Sequence, residues 1–169
     1  MSAAPAVSLT PVGPAEAEVL THLFQLYLYD FSELLAFDIG ADGLFAAPRP
    51  DGYWLDPRYQ AFLFHAHGHL AGFAVVDSQS RLTGTPVWDM NEFFVLRRHR
   101  RAGVGGRAAS AVFDRFRGAW EVRELVRNVP AQAFWRRVIG EYTGECFTEV
   151  AWDDARWRGP VQRFESVGG

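Results

Sequence analysis

Between Asn91 and Arg107 the chain reads N-E-F-F-V-L, then R-R-H-R, then R-A-G-V-G-G-R. The apolar run predicts a strand, and the residues beyond it have helical spacing. Gly103, Gly105 and Gly106 carry no Cβ, so the connecting backbone can approach a ligand closely. Open N–H groups of a first helical turn, together with the helix dipole, attract phosphate. Arg97, Arg98, Arg100, Arg101 and Arg107, with His99 among them, can add charge-assisted hydrogen bonds. The same strand carries two carboxylates. Strict alternation puts Glu92 on one face with Trp88, Met90, Phe94 and Leu96, and Asp89 on the other with Val87, Asn91, Phe93 and Val95. A carboxylate among Trp, Met and Phe side chains should have a raised pKa, which suits a general base near neutrality. Glu92 is the first candidate base and Asp89 the second. An ordered water, or simple pairing of Glu92 with an arginine, is the alternative.

Two other anion-binding patterns fit less well. Gly103-x-Gly105-x-x-Ala108 matches a dinucleotide fingerprint, but Arg97 to Ala102 separate it from the strand, where the first glycine should follow directly. A Walker A loop needs Lys then Ser or Thr after its last glycine, and Gly106-Arg107 does not supply them. His65, His67 and His69 alternate across an expected turn with no cysteine or carboxylate beside them, so no metal site is expected. Cys146 has no adjacent histidine and reads as a small packing residue.

The elements that must hold these groups are legible in outline. A first strand is expected around Ala6–Leu9. Leu20, Leu23, Phe24, Tyr27, Leu28, Phe31 and Leu35 recur at helical spacing, with Tyr29 and Asp30 off the stripe and free to face a pocket. Residues 38–60 hold three glycines and three prolines and read as a long loop with room for a short helix. Strands follow at Ala61–Ala66 and His69–Asp77, joined by a tight turn at His67-Gly68, and then at Val87–Leu96. A helix from Gly103 to about Phe116, a strand at Glu121–Val126 and a helix at Ala131–Gly140 come next. Closing strands are expected at Phe147–Trp152 and Val161–Ser166. This order predicts one α/β domain over residues 1–169, with a mixed sheet, helices on both faces and a parallel strand pair around the glycine loop.

Arg100-x-x-Gly103-x-Gly105 after a strand resembles motif A of the GNAT superfamily of N-acetyltransferases. Asn128-Val-Pro-Ala131-x-x-Phe134-Trp135 resembles its motif B, and the order and spacing match over about Ala61 to Trp152. The long aromatic helix before the hairpin is similar as well. The resemblance implies a GNAT-like, mostly antiparallel sheet and acetyl-CoA as co-substrate, with no metal. It places the pyrophosphate on the backbone of Arg101, Ala102, Gly103, Val104, Gly105 and Gly106, with Arg100 beside it. The pantetheine arm would pair with the fourth strand at Phe94, Val95 and Leu96, with Asn128 and Trp135 along it. It implies direct attack by a primary amine, without an acyl-enzyme. A strand bulge near Val95 would free a backbone N–H for the oxyanion. An amine of pKa about 10.4 must lose a proton before it attacks, which is the work of Glu92 or Asp89. One departure stands out. Trp135 occupies the position where many members place a tyrosine that protonates the leaving thiolate, and Tyr142 is the nearest substitute. An acyl-CoA-binding or regulatory domain without turnover is therefore the second reading.

The bulk properties narrow the partners. The net charge is −3 at pH 7, and the one dense arginine cluster belongs to the glycine loop, so no second basic surface remains for nucleic acid. No run of 18 apolar residues could span a membrane. One cysteine and no secretory signal pattern predict a cytoplasmic protein. The segment Tyr29 to Tyr59 holds Asp30, Glu33, Asp38, Asp42, Asp51 and Asp56 against Arg49 and Arg58. It is expected to wall the acceptor side, with Tyr29, Asp30, Tyr53 and Trp54 meeting a small-molecule amine or a peptide N-terminus. Ordinary solvated loop carboxylates would look the same. The composition leaves room for a homodimer.

Overall fold

The computed structural model describes residues 6–46 and 51–168, and the side chains of Asp51 and Trp54 are outside that description. The described residues form seven strands and four α-helices: β1 (Val7–Pro11), α1 (Ala17–Ser32), α2 (Asp51–Leu55), β2 (Tyr59–Ala66), β3 (His69–Gln79), β4 (Pro86–Val95), α3 (Val104–Phe113), β5 (Gly118–Arg123), α4 (Val129–Thr143), β6 (Phe147–Asp153) and β7 (Arg158–Ser166). The strands make one sheet in the order β1-β2-β3-β4-β5-β7-β6. Every neighbouring pair is antiparallel except β4 and β5. The expected mixed sheet with one parallel pair is the observed fold.

Alternation along β3 sorts the core into two layers. Phe73 and Val75 meet Leu20, Leu23 and Phe24 of α1 and Tyr53 of α2 on the front face. Ala74 and Val76 join Ala109, Val112 and Phe113 of α3 and Trp135, Val138 and Ile139 of α4 on the back. Gly72 sits where a Cβ would lie 1.9 Å from the Phe94 carbonyl oxygen and 2.4 Å from the Phe64 ring, so only glycine lets β3 run this close to β4.

Several element ends differ from expectation. The α1 stripe was expected to run through Leu35, but the helix stops at Ser32 and Leu35 is exposed. Gly140 does not end α4. It is buried inside the helix, and Gly144, left-handed at φ 61°, is the C-cap. The fifth strand starts and ends earlier than expected. Beyond Arg123 the chain is drawn into irregular bonds with the β7 backbone, Glu124 to Pro160 and Val126 to Arg158. His67 and Gly68 form the expected turn, both at positive φ.

The decisive irregularity is in β4. Val75 of β3 faces Glu92 and Val76 faces Met90, so Asn91 is an extra residue without a counterpart. Such a bulge reverses the side-chain parity of the strand beyond it. Met90 therefore falls on the back face while Glu92 and Phe94 are on the front, and Asp89, opposite Asp77, is also on the front. The expected separation of Asp89 from Glu92 is thus corrected, and the bulge lies at Asn91 instead of near Val95. Beyond it β4 and β5 separate, because their parallel pairing covers only Trp88 with Trp120 and Asp89 with Glu121. Replacing Gly72 with alanine should lower unfolding free energy by roughly 1–3 kcal/mol, the usual scale of overpacking, measured by urea denaturation.

Candidate active site

Glu92 stands on the front of β4, just past the bulge and beside the opening between β4 and β5. The Tyr27 hydroxyl donates to Glu92 Oε2 at 2.6 Å. Burial pushes the Glu92 carboxyl above the ordinary range, against the stabilising pull of that hydrogen bond and of Arg81 and Arg123. Burial, and after it the charge of Glu92, also raise the pKa of the Tyr53 phenol. The carboxyl is thus held between two phenols, and Tyr27 had read only as core in the sequence. Its place on the α1 stripe gives the packing but not the polar partner, because that partner is 65 residues away.

Asp89 shares the face but is engaged. Both its oxygens accept from Arg123 Nη2, at 2.8 and 2.9 Å, and the Arg81 backbone N–H donates at 3.1 Å. Asp89 is fully buried, and Arg123 has a side chain only 4% exposed. Glu121 beside them accepts from the Ser80 hydroxyl at 2.8 Å and from Arg163 Nε at 2.9 Å. This network fixes β5 and β7 against β4 and leaves Glu92 as the carboxylate of the pair with fewer partners.

The backbone of β4 beyond the bulge has two edges. The Leu96 N–H donates to the Ala71 carbonyl, so the alternation of an antiparallel ladder turns the N–H and C=O of Val95 to the open side. The Val95 carbonyl there accepts from Arg100 Nε at 2.7 Å. Phe94 is buried in the front core and Leu96 packs at its margin.

Past β4 a single turn of tight helix, Arg97–His99, leads to the glycine loop. Arg101 is left-handed at φ 61° and Gly103 at φ 76°. Gly103 is the N-cap of α3, no side chain caps that end, and a Cβ at Gly103 would meet nothing within 4 Å. The first-turn N–H groups of Val104, Gly105 and Gly106 are therefore uncapped at an open end, which fits a phosphate group. A Cβ at Gly105 would instead lie 3.0 Å from the Phe134 ring and 3.2 Å from Val95, so this glycine lets α3 pack on α4 and β4. Arg98, Arg101, Ala102 and Arg107 are exposed around the loop.

Several expected site residues have other partners. Asp30 accepts from Arg97 at 2.7 Å and from Arg100, so it ties α1 to the loop and does not stand free for a cationic amine. Desolvation would raise the Asp30 pKa, but the bonds from Arg100 and Arg97 hold it below the ordinary value. Tyr53 stacks on Phe24 and is buried, so it is core rather than acceptor surface. Tyr29 is exposed, and the Trp54 side chain lies outside the described residues. Asn128 caps α4, its Oδ1 accepting from the Ala131 N–H at 3.3 Å. Trp135 is 6% exposed and packs edge-on to Phe93, so its neighbour Phe134 is the motif-B aromatic that reaches the glycine loop. Tyr142 lies in α4, not beyond its end, and bonds to Asp114 and Ser166 at the far end of α3. A helix of that length puts it ~15 Å from the loop. A groove of about 890 Å³ also lies at that far end, lined by Tyr142, Phe164 and Cys146, which is exposed and not the packed residue expected. Among the described residues no group of His, Cys, Asp and Glu is placed to hold a metal ion, and no helix is long and apolar enough to cross a membrane.

The sequence matches a family model described as Acetyltransferase (GNAT) family over residues 20–140. The chain belongs to the GNAT acetyltransferase family. An acetyltransferase of Thermus thermophilus is similar over 95% of this chain and 97% of its own, with a TM-score of 0.66 and 18% identity. A GNAT-family acetyltransferase of Staphylococcus aureus gives 0.62 and 13%, over 95% and 99%. The ribosomal-protein-S18-alanine N-acetyltransferase of Escherichia coli gives 0.58 and 13%, over 97% and 96%. At these identities the likeness is one of fold. No curated protein matches the sequence.

A second carboxyl in the GNAT fold is perturbed for a different reason. Glu124, just past β5, is 3% exposed, and neither of its oxygens has a hydrogen-bond partner among the described residues. Gln162 beside it gives one Nε2 hydrogen to Glu149 at 2.7 Å, and its Oε1 is unpartnered as well. Burial pushes this carboxyl up to about 8. Because the folded value is raised, the unfolded chain releases the proton first, and stability falls as pH climbs from the ordinary carboxyl range through about 8. Glu124→Gln should remove that loss and be more stable than wild type above this window, on the order of 3–5 kcal/mol. The two should converge in acid. Thermal unfolding across pH reads this directly.

Proposed function

We propose that this GNAT acetyltransferase moves an acetyl group from acetyl-CoA to a primary amine by direct attack, with Glu92 as the general base. The observation that carries this reading is the Glu92 carboxyl, raised by burial and held at the opening where β4 and β5 part. Acetyl-CoA supplies an activated thioester when bound. The N–H groups of Val104 to Gly106 and the exposed Arg101 would hold its pyrophosphate, and Phe94 to Leu96 with Asn128 would line the arm. The acceptor nitrogen closes a C–N bond as the C–S bond breaks. The nitrogen's proton passes to Glu92, the sulfur leaves with the bonding pair and is protonated from solvent, and Glu92 returns its proton to solvent. The Val95 N–H, turned to the open edge, would donate to the carbonyl oxygen as charge develops there. Asp89 is assigned a structural role, since its oxygens are taken by Arg123.

The acceptor is read as a small or medium amine or a peptide N-terminus, the latter supported by the fold shared with the ribosomal-protein-S18-alanine N-acetyltransferase of Escherichia coli. A cytoplasmic monomer or homodimer accommodates both. One observation favours the second reading, a domain that binds acyl-CoA without turnover. Trp135 is buried where a proton donor would be expected, and Tyr142 is far from the loop with its hydroxyl engaged. Free-thiol release from acetyl-CoA across a panel of amines separates the two.

Acetyl-CoA at about 100 times Kd should stabilise the fold by about 2.7 kcal/mol, on the order of 5–10 °C in Tm, with NAD and ATP giving clearly less. Gly103→Asp is the diagnostic variant. Its side chain would enter open space, and Asp tolerates the left-handed backbone and caps helices well. The variant should fold with unchanged or higher Tm yet lose the acetyl-CoA shift, because a carboxylate now occupies the anion site. Glu92→Gln should slow turnover ~10²-fold or more at neutral pH, and less at high pH where the amine deprotonates unaided. Acetyl-CoA binding should survive.

A further inference from the structure

Among the groups around Glu92, one is aimed with more constraint than packing requires. Tyr27 projects from α1, and its ring is boxed by four others. Phe31 lies 4.6 Å away, Phe73 5.6 Å, Phe94 5.7 Å and Phe24 5.8 Å between centroids. Phe24 and Phe73 stand nearly perpendicular to it, at 83° and 85°. Four rings from α1, β3 and β4 fix the plane of the phenol and hence the line of its C–O bond. At the end of that line is Glu92 Oε2, 2.6 Å from the hydroxyl.

We infer that Tyr27 is the positioning residue of the Glu92 base: it occupies Oε2 permanently, so that Oε1 is the atom that receives the acceptor's proton. This rests on the reading of Glu92 as the base. Against an ionised carboxylate, which has no hydrogen to give, a phenol in this box donates. Burial and the charge of Glu92 both raise its pKa, so it keeps its proton throughout the working pH range. A carboxylate with one oxygen held by a fixed donor has one orientation and one basic lone-pair direction. Without that donor the carboxyl pKa would rise further, leaving less of the ionised form that acts as a base. The Asn91 bulge is part of the same device, because an unbulged strand could not place both Asp89 and Glu92 on the α1 side.

The other groups around Glu92 are the neutral Tyr53 phenol from α2, a second and weaker donor toward it, and the charges of Arg81 from the β3–β4 turn, Asp89 from β4 and Arg123 from β5. Arg81 and Arg123 favour the ionised carboxylate and Asp89 opposes it, and all three remain when Tyr27 is changed. Tyr27→Phe keeps the ring in its box and removes one oxygen, so its effect isolates the hydrogen bond.

The test is the pH profile of Tyr27→Phe with any acceptor that wild type acetylates. The donor stabilises the ionised form, so its loss should move the acid limb of kcat/KM to higher pH. At neutral pH kcat should fall roughly tenfold or more, while acceptor KM and the thermal shift with acetyl-CoA stay near wild type. Tyr27→Phe combined with Glu92→Gln should be no slower than Glu92→Gln alone, because Tyr27 acts through Glu92. An unmoved acid limb with a lowered Tm would reduce Tyr27 to packing, and so would a double variant clearly slower than Glu92→Gln. Should Tyr27→Phe fail to fold, Tyr27→Trp supplies a ring with its donor displaced, and the same acid-limb shift is required of it. If Glu92→Gln itself retains full activity, the base assignment and this inference fall together. A slow Glu92→Gln beside a wild-type Tyr27→Phe profile overturns the Tyr27 inference alone.

Discussion

Asn91 has no counterpart in β3, and the positions of the reactive side chains follow from that one residue. A regular β4 with Glu92 in its present place would put Asp89 on the back face, against the apolar layer of α3 and α4. The extra residue rotates the strand so that Asp89 meets Arg123 and Glu92 meets Tyr27 on the same side. It also lies just past Asp89, the last residue of β4 paired with β5, which is consistent with the stronger twist that bulges impose. Asn91 thus accounts for the shared face, for the partners of both acids and for the backbone edge left open at Val95.

The two front-face carboxylates have opposite relations to charge. Asp89 and Glu121 are buried with arginines directly on them, a network whose members hold one another in place. Glu92 is half-buried against phenols, and its one directly bonded donor is a neutral hydroxyl, with Arg81 and Arg123 acting on it through their charge. Burial raises the carboxyl pKa of both Asp89 and Glu92, so their partners divide them: both Asp89 oxygens accept from Arg123, whereas Glu92 accepts from the Tyr27 hydroxyl and can still exchange a proton.

Much of this could be read in the sequence, and the unread part has a common cause. The glycine loop, the helix after it, the hairpin at His67-Gly68 and the parallel strand pair follow from local spacing, and all are present. Alternation failed at Asn91, because a bulge depends on the facing strand and leaves no mark in its own residues. Tyr53 and Trp135 read as ligand-facing because aromatic residues serve both cores and pockets, and burial alone tells the two apart. Asp30 read as acceptor wall because its partners, Arg97 and Arg100, lie about 70 residues on and are brought to it only when α1 crosses the sheet. In each case the missing information was a contact distant in sequence.

Helix α1 joins these features. Tyr27 and Asp30 are three residues apart and so lie on adjoining parts of one helical surface. Tyr27 reaches the front of β4 at Glu92, and Asp30 reaches Arg97 and Arg100 beyond its end. Arg100 in turn holds the Val95 carbonyl on the open edge. A rigid helix cannot shift one of these contacts and leave the other, since both are carried on a single turn. The same element therefore sets the orientation of the carboxyl on β4 and the conformation of the arginine loop that precedes α3.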